Sequence, residues 1–191
     1  MEGHPNKPKV SPRAVFLSVA VMAIAVIVGS ILFAGDGDPP ADTMSLVPQN
    51  VGNEGERVPT DSFTMFDGST ATFADFAGKP LVVNFFASWC SPCRAEMPHF
   101  QTVHEDLGDE VTFLGLASGD RVEDARALVE ETGVTFTVAS DPGEFLIHFG
   151  GIAMPTTALV SADGVIVDMF TGPLDEERLR DRIAEHLGVS S

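Results

Sequence analysis

Residues 81–98 read LVVNFFASWCSPCRAEMP and contain both cysteines of the chain, Cys90 and Cys93. LVVNFFA, residues 81–87, is an almost continuous apolar run with β-branched and aromatic side chains, the pattern of a strand buried on both faces. From Cys90 to about Leu107 the pattern becomes helical. Two thiols separated by two residues at a strand-to-helix junction can hold a zinc ion, staple a loop or exchange electrons with another protein. The fold has to be read before choosing among them.

Working outward, VTFLGLA (111–117) repeats the buried-strand pattern, and Val122, Ala125, Leu128 and Val129 mark one face of a helix closed by Gly133. TFTVAS (135–140) reads as a strand, and Glu144–Phe149 as a short helical piece. TTALVSADGVIVDMF gives two strands about Asp163–Gly164, a hairpin signal. Leu179, Ile183 and Leu187 line one face of a terminal helix, with Glu176 and Arg180 expected as an i, i+4 pair on another. Ahead of the central strand, SFTMFDGSTATFADF reads as a short strand, a turn at Asp67–Gly68 and a second strand or turn, with Gly78–Lys79–Pro80 as a break. Alternating strands and helices closed by a hairpin and a helix predict an α/β domain with a mixed sheet covered on both faces.

The N-terminal third is different. Residues 14–35, AVFLSVAVMAIAVIVGSILFAG, carry no charge, and at about 1.5 Å of helical rise per residue they reach about 33 Å, enough to cross a bilayer core. A secretory signal has a shorter apolar region and a small-x-small cleavage site. Here the exit reads LFAGDG, with Leu32 in the minus-three place, so a retained transmembrane anchor is expected. Lys7, Lys9 and Arg13 precede the segment and Asp36, Asp38 and Asp42 follow it, which puts residues 1–13 in the cytoplasm and the rest outside. Residues 36–58, rich in Gly, Asp, Pro, Asn and Glu, read as a flexible acidic linker, and 59–188 as the folded domain.

From residue 36 onward 27 acidic residues stand against 8 basic ones, a formal charge of −19. That excludes nucleic-acid binding as a main function and disfavours anionic lipid as a docking surface. Basic or neutral partners are favoured.

Zinc fails on geometry. The candidate ligands after the cysteines are His99 and His104, but on a continuous helix His99 lies about 180° from Cys90, and His104 about 16 Å beyond Cys93. Four ligands cannot converge within about 2.0–2.3 Å of one point. A structural staple fails too, because so small a loop constrains almost nothing in the unfolded chain. Electron exchange fits the spacing. Cys90 opens the helix, where unpaired backbone N–H groups and the helix dipole favour a thiolate, and Cys93, one turn inward, can resolve a mixed disulfide. Pro92 suits a first-turn position, where its missing N–H costs nothing.

VVNFFASWCSPCRAEMP resembles the active-site stretch of thioredoxin-fold proteins, and specifically of membrane-anchored TlpA/ResA-like thiol–disulfide oxidoreductases. The resemblance covers roughly residues 58–188 and includes Trp89 before the first cysteine, Glu96, Pro98 five residues after the second, GKP at 78–80 and MPTTALVSADG at 154–164. It implies a thioredoxin-like fold. It also implies that Pro155 is cis and faces the cysteines, keeping metal away and leaving the backbone of Met154 to pair with a substrate segment. Where cytosolic thioredoxin has a buried Asp six residues before the first cysteine, this chain has Asn84, which cannot take a proton. The ResA-like branch instead has a Glu three residues after the second cysteine, matched by Glu96. Physically, a partly desolvated Glu96 near the pair has a raised pKa and can move the Cys93 proton. Trp89 is expected to shield one side of the site and contact substrate.

The resemblance implies a protein-disulfide oxidoreductase of the cell envelope that needs no cofactor beyond its redox-active disulfide and is fed by a membrane thiol carrier. No Gly-x-Gly-x-x-Gly follows a strand, so no flavin or nicotinamide site is expected. Reduction of disulfides, as of apocytochromes awaiting haem, is favoured over thiol oxidation because Ser91–Pro92 contains no His to stabilise a thiolate. Two other readings fit less well. A peroxiredoxin-like peroxidase resembles a Pro-x-x-x-Thr-x-x-Cys pattern, against Val83 and Ala87 here. A Sco-like copper chaperone has cysteines three apart and a distant His, which His148 alone does not restore.

Overall fold

The computed structural model describes residues 52–190. The expected anchor at 14–35 and most of the expected linker lie outside these residues. Among the described residues no helix is long and apolar enough to cross a membrane.

Seven strands form one mixed sheet in the order β2-β1-β5-β4-β3-β6-β7. The strands are β1 (Phe63–Met65), β2 (Thr70–Ala71), β3 (Leu81–Phe86), β4 (Thr112–Ser118), β5 (Thr137–Asp141), β6 (Thr156–Val160) and β7 (Ile166–Thr171). The helices are α1 (Ser91–Leu107), α2 (Val122–Thr132), α3 (Glu144–His148) and α4 (Glu176–Leu187), with a 3₁₀ turn at Phe73–Phe76. β3, β4 and β5 run parallel, while β6 and β7 on one flank and β1 and β2 on the other are antiparallel.

All six residues of β3 are buried, as a strand in the middle of a doubly covered sheet requires. Val82 and Phe86 join a core with Met97, Phe100 and Val103 of α1, Ala125 and Leu128 of α2, and Leu179 and Ile183 of α4. Val83 and Phe85 face the other way, into a core with Phe73, Phe145 and Phe149. Those aromatic rings meet edge-on or tilted, at centroid separations of 5.2–5.5 Å. The step from β3 to β4 to β5 keeps one direction across the sheet, so two right-handed crossovers place α1 and α2 on the same face.

Ends are set by local chemistry. α2 stops at Gly133, whose φ of 73° is the left-handed conformation that glycine adopts at low cost. Asp175 caps α4 by accepting the Arg178 N–H. Two expectations need correction. β4 and β5 sit one or two residues later than the apolar runs suggest. Among the described residues Glu176 and Arg180 do not pair with each other. Glu176 instead lies 3.6 Å from His99, and Arg180 reaches Asp106 at 2.5 Å, because both helix positions face α1. His104 lies between the rings of Phe113 and Phe136, so it is a packing residue.

Candidate active site

β3 delivers the chain to the site. After Phe86 the segment Ala87–Ser88–Trp89 turns into α1, and Cys90 is the residue that caps the helix. Its backbone is extended, and its sulfur accepts the Cys93 N–H at 3.2 Å, one of the amides that a helix start leaves unpaired. Pro92 occupies the first turn. Cys90 and Cys93 are joined in a disulfide with their Cα atoms 5.3 Å apart. Cys90 is 6% exposed and Cys93 fully buried, so an incoming partner meets Cys90 first.

The turn before Cys90 is fastened by an acidic side chain from another part of the chain. Asp120, after β4, accepts the Ser88 N–H at 2.5 Å and the Ser88 hydroxyl at 3.0 Å. The same carboxylate accepts the Arg121 N–H at 2.8 Å. Arg94, itself paired with Glu131, donates to the Ser88 carbonyl at 3.4 Å. Trp89 stands in sequence between this clamp and Cys90 with two-thirds of its surface open to solvent, so it is available to a partner.

The peptide bond between Met154 and Pro155 is cis. β6 begins immediately after it, and Thr156 pairs with Phe85 near the end of β3, which brings Pro155 to the sheet end that carries the cysteines. The loop is held on both sides: the Pro155 carbonyl accepts the Gly172 N–H at 2.9 Å, and the Ala153 carbonyl accepts the Thr156 hydroxyl at 2.7 Å. Met154 packs partly against the core that contains both cysteines, and Ile152, two residues earlier, is 77% exposed.

Glu96 lies one turn beyond Cys93 and is 1% exposed. One carboxylate oxygen accepts the Asn84 side-chain N–H at 2.8 Å and the other accepts the Leu174 N–H at 3.0 Å. Loss of solvent outweighs both hydrogen bonds and pushes the carboxyl up to about 7. The carboxyl therefore keeps its proton to a higher pH than an exposed glutamate does. A shallow groove of about 300 Å³ between α1 and the start of α4, flanked by His99, Pro173 and Arg178, opens beside Glu96. A second, apolar cavity of about 260 Å³ near Phe73, Lys79 and Val160 lies at the opposite end of β3 from the cysteines.

Of the residues singled out from sequence, the fold therefore gathers Cys90, Cys93, Pro92, Asn84 and Glu96 around the first turns of α1, with Trp89, Met154 and Pro155 on adjoining loops. Among the described residues no cluster of three or more His, Cys, Asp or Glu side chains could hold a metal ion. Sequence reasoning missed Asp120, the Leu174 N–H and the Asn84–Glu96 hydrogen bond.

The redoxin family model matches residues 53–186. Thiol-disulfide oxidoreductase ResA of Bacillus thuringiensis is 28% identical over 129 residues, 66% of this chain and 75% of that protein. Thiol:disulfide interchange protein HelX of Rhodobacter capsulatus is 33% identical over 121 residues, 61% of this chain and 67% of that one. A crystal structure of a DsbE-type thiol:disulfide interchange protein from Chlorobium tepidum superposes with a TM-score of 0.65 at 26% identity, covering 71% of this chain and 99% of that one.

Proposed function

The chain belongs to the redoxin family and is a thioredoxin-fold thiol–disulfide oxidoreductase, and on that premise we propose that it is a membrane-anchored reductase of protein disulfides outside the cytoplasm. Residues 14–35 are the anchor in this reading, residues 36–58 the linker, and an apocytochrome c awaiting haem is the preferred substrate class. Electrons come from a membrane thiol carrier, since the protein has no cofactor of its own in this reading.

One observation carries the direction. Among the described residues the only hydrogen bond to the Cys90 sulfur comes from the Cys93 N–H, and the ionisable group lodged behind the pair is an acid, Glu96. A strongly oxidising couple needs its reduced form stabilised through a low-pKa thiolate. A single amide and a helix terminus supply modest stabilisation, and a buried carboxylate opposes a second negative charge.

The reaction then runs as follows. The Cys90 thiolate attacks one sulfur of the substrate disulfide, forming a mixed disulfide and releasing the other substrate sulfur as a thiolate, which takes a proton from water. Cys93 gives its proton to the Glu96 carboxylate and attacks the Cys90 sulfur. The second substrate thiolate leaves, and the Cys90–Cys93 disulfide remains. Two electrons have passed from the dithiol to the substrate.

The test is kinetic, with the full chain in detergent. Its dithiol form should reduce a disulfide-closed Cys-x-x-Cys-His peptide at least tenfold faster than its disulfide form oxidises the same peptide's dithiol. The opposite ratio would make it a disulfide-forming enzyme. Carbonate extraction of membranes tests the anchor: release of the intact chain would remove that part of the proposal.

A further inference from the structure

The sheet face whose core includes Cys93 carries two neighbouring polar side chains, Asn84 and Thr157, in a largely apolar surround. Asn84 on β3 and Thr157 on β6 are register partners, so their side chains stand next to each other on one face. That face is shared with Val82 and Phe86, whose core contains Cys90, Cys93 and Met97. Asn84 is 1% exposed and Thr157 2%. Asn84 gives its side-chain N–H to Glu96, one turn from Cys93, but its carbonyl Oδ1 has no partner. The hydroxyl of Thr157 has none either. The third such side-chain atom among the described residues, Nδ1 of His104, lies in the ring cluster far along α1.

Leaving a buried polar atom unpaired costs stability, and two on neighbouring residues of one face call for a cause. The redox state supplies it. A disulfide sulfur has no hydrogen to donate and no charge to attract a donor, whereas a reduced Cys93 in the same buried place carries either an S–H or a thiolate. We propose that Asn84 and Thr157 are the hydrogen-bond partners Cys93 acquires on reduction. The Asn84 carbonyl accepts from the Cys93 thiol, and the Thr157 hydroxyl donates to the Cys93 thiolate formed as it attacks the mixed disulfide.

Reduction adds two electrons and two protons across the sulfur pair. The proton on Cys93 exchanges with Glu96, and Asn84 touches both groups, its N–H on the acid and its carbonyl on the thiol. Thr157 and Asn84 are therefore contacts of a reacting sulfur in one redox state only. The idea holds for either direction of net electron flow, so its outcome is separate from that of the reductase reading.

The test is Thr157→Val in the full chain, which keeps the shape and removes the hydroxyl. The disulfide form loses an unpaired group and should melt at a higher temperature than the parent. The dithiol form loses a partner and should melt lower. In dithiothreitol redox buffers the equilibrium should shift toward the disulfide by at least fivefold, roughly 20 mV at about 30 mV per tenfold change. Thr157→Ser, which retains the hydroxyl, should return the constant to within twofold of the parent, and Thr157→Ala gives the same readout if the valine variant does not fold. An unchanged constant, a shift toward the dithiol, or equal changes in the melting of both redox forms would overturn the proposal.

Discussion

Replacing Glu96 with Gln should change how the stability of the disulfide form depends on pH, and the structure sets the size. In the unfolded chain the carboxyl ionises near 4.5, and in the folded protein near 7, because burial outweighs the hydrogen bonds from Asn84 and Leu174. The folded state therefore binds more protons than the unfolded state between those values, and stability falls as pH rises through that window. Below pH 4.5 the group imposes no ionisation cost. Above pH 7 the cost is complete, roughly 3 kcal/mol at about 1.4 kcal/mol per pH unit of separation. Gln cannot ionise, so this dependence vanishes. It also places an NH₂ against one of two donors, losing a hydrogen bond at about 1–3 kcal/mol at every pH. Urea unfolding of both disulfide-form proteins at pH 5 and pH 8.5 separates the two effects, because other titrating groups cancel in the difference. The variant should gain on the parent by roughly 2.5 kcal/mol between the two pH values, because pH 5 already lies inside the window. A difference that is flat with pH would refute the assignment of a buried, proton-exchanging carboxyl at this position.

Cys90→Ser should abolish exchange while leaving the melting temperature close to that of the reduced parent, whereas Cys93→Ser should accumulate mixed disulfides through Cys90, visible on non-reducing gels and lost with dithiothreitol. Asp120→Ala removes the acceptor for the Ser88 amide and hydroxyl, and should cost about 1–3 kcal/mol of stability and broaden the Trp89 emission as the turn before Cys90 loosens. Asp168, 2% exposed, holds Arg182 through two hydrogen bonds of 2.8 and 2.5 Å. Asp168→Ala should destabilise by about 2–3 kcal/mol in urea, below the 3–5 of a fully buried pair because Arg182 is partly exposed.

Those last two sites show where reading the chain stops. β3, β6 and β7 and the turn of Asp163–Gly164 are legible because burial on two faces, or alternation about an Asp-Gly turn, is a local pattern. The Cys90–Cys93 chemistry is legible because strand, helix start and spacing are contiguous. Asp120 and Ser88 are 32 residues apart, and Glu96 and the Leu174 N–H 78 apart, so no local periodicity announces either contact. Glu176 and Arg180 have the spacing of an intrahelical pair, yet the packing of α4 on α1 offers each a different partner. The burial of Glu96 was expected from resemblance and charge logic, but its tie to Asn84 appears only once β3 is laid under α1. Asp168 looks like any acidic residue in an acidic chain until a register shift beside Leu159 and its pairing in β7 set it against Arg182.

The direction in which the pair moves electrons is set by the midpoint potential of the Cys90/Cys93 couple. Equilibrating the full chain in detergent with graded thiol–disulfide buffers, and following the emission of Trp89 beside the disulfide, gives that value. A reductase should have a potential near or below about −220 mV, in the range of thioredoxin and the glutaredoxins. A value above roughly −150 mV, toward the oxidising end, would contradict the reductase reading and make the protein a source of disulfides.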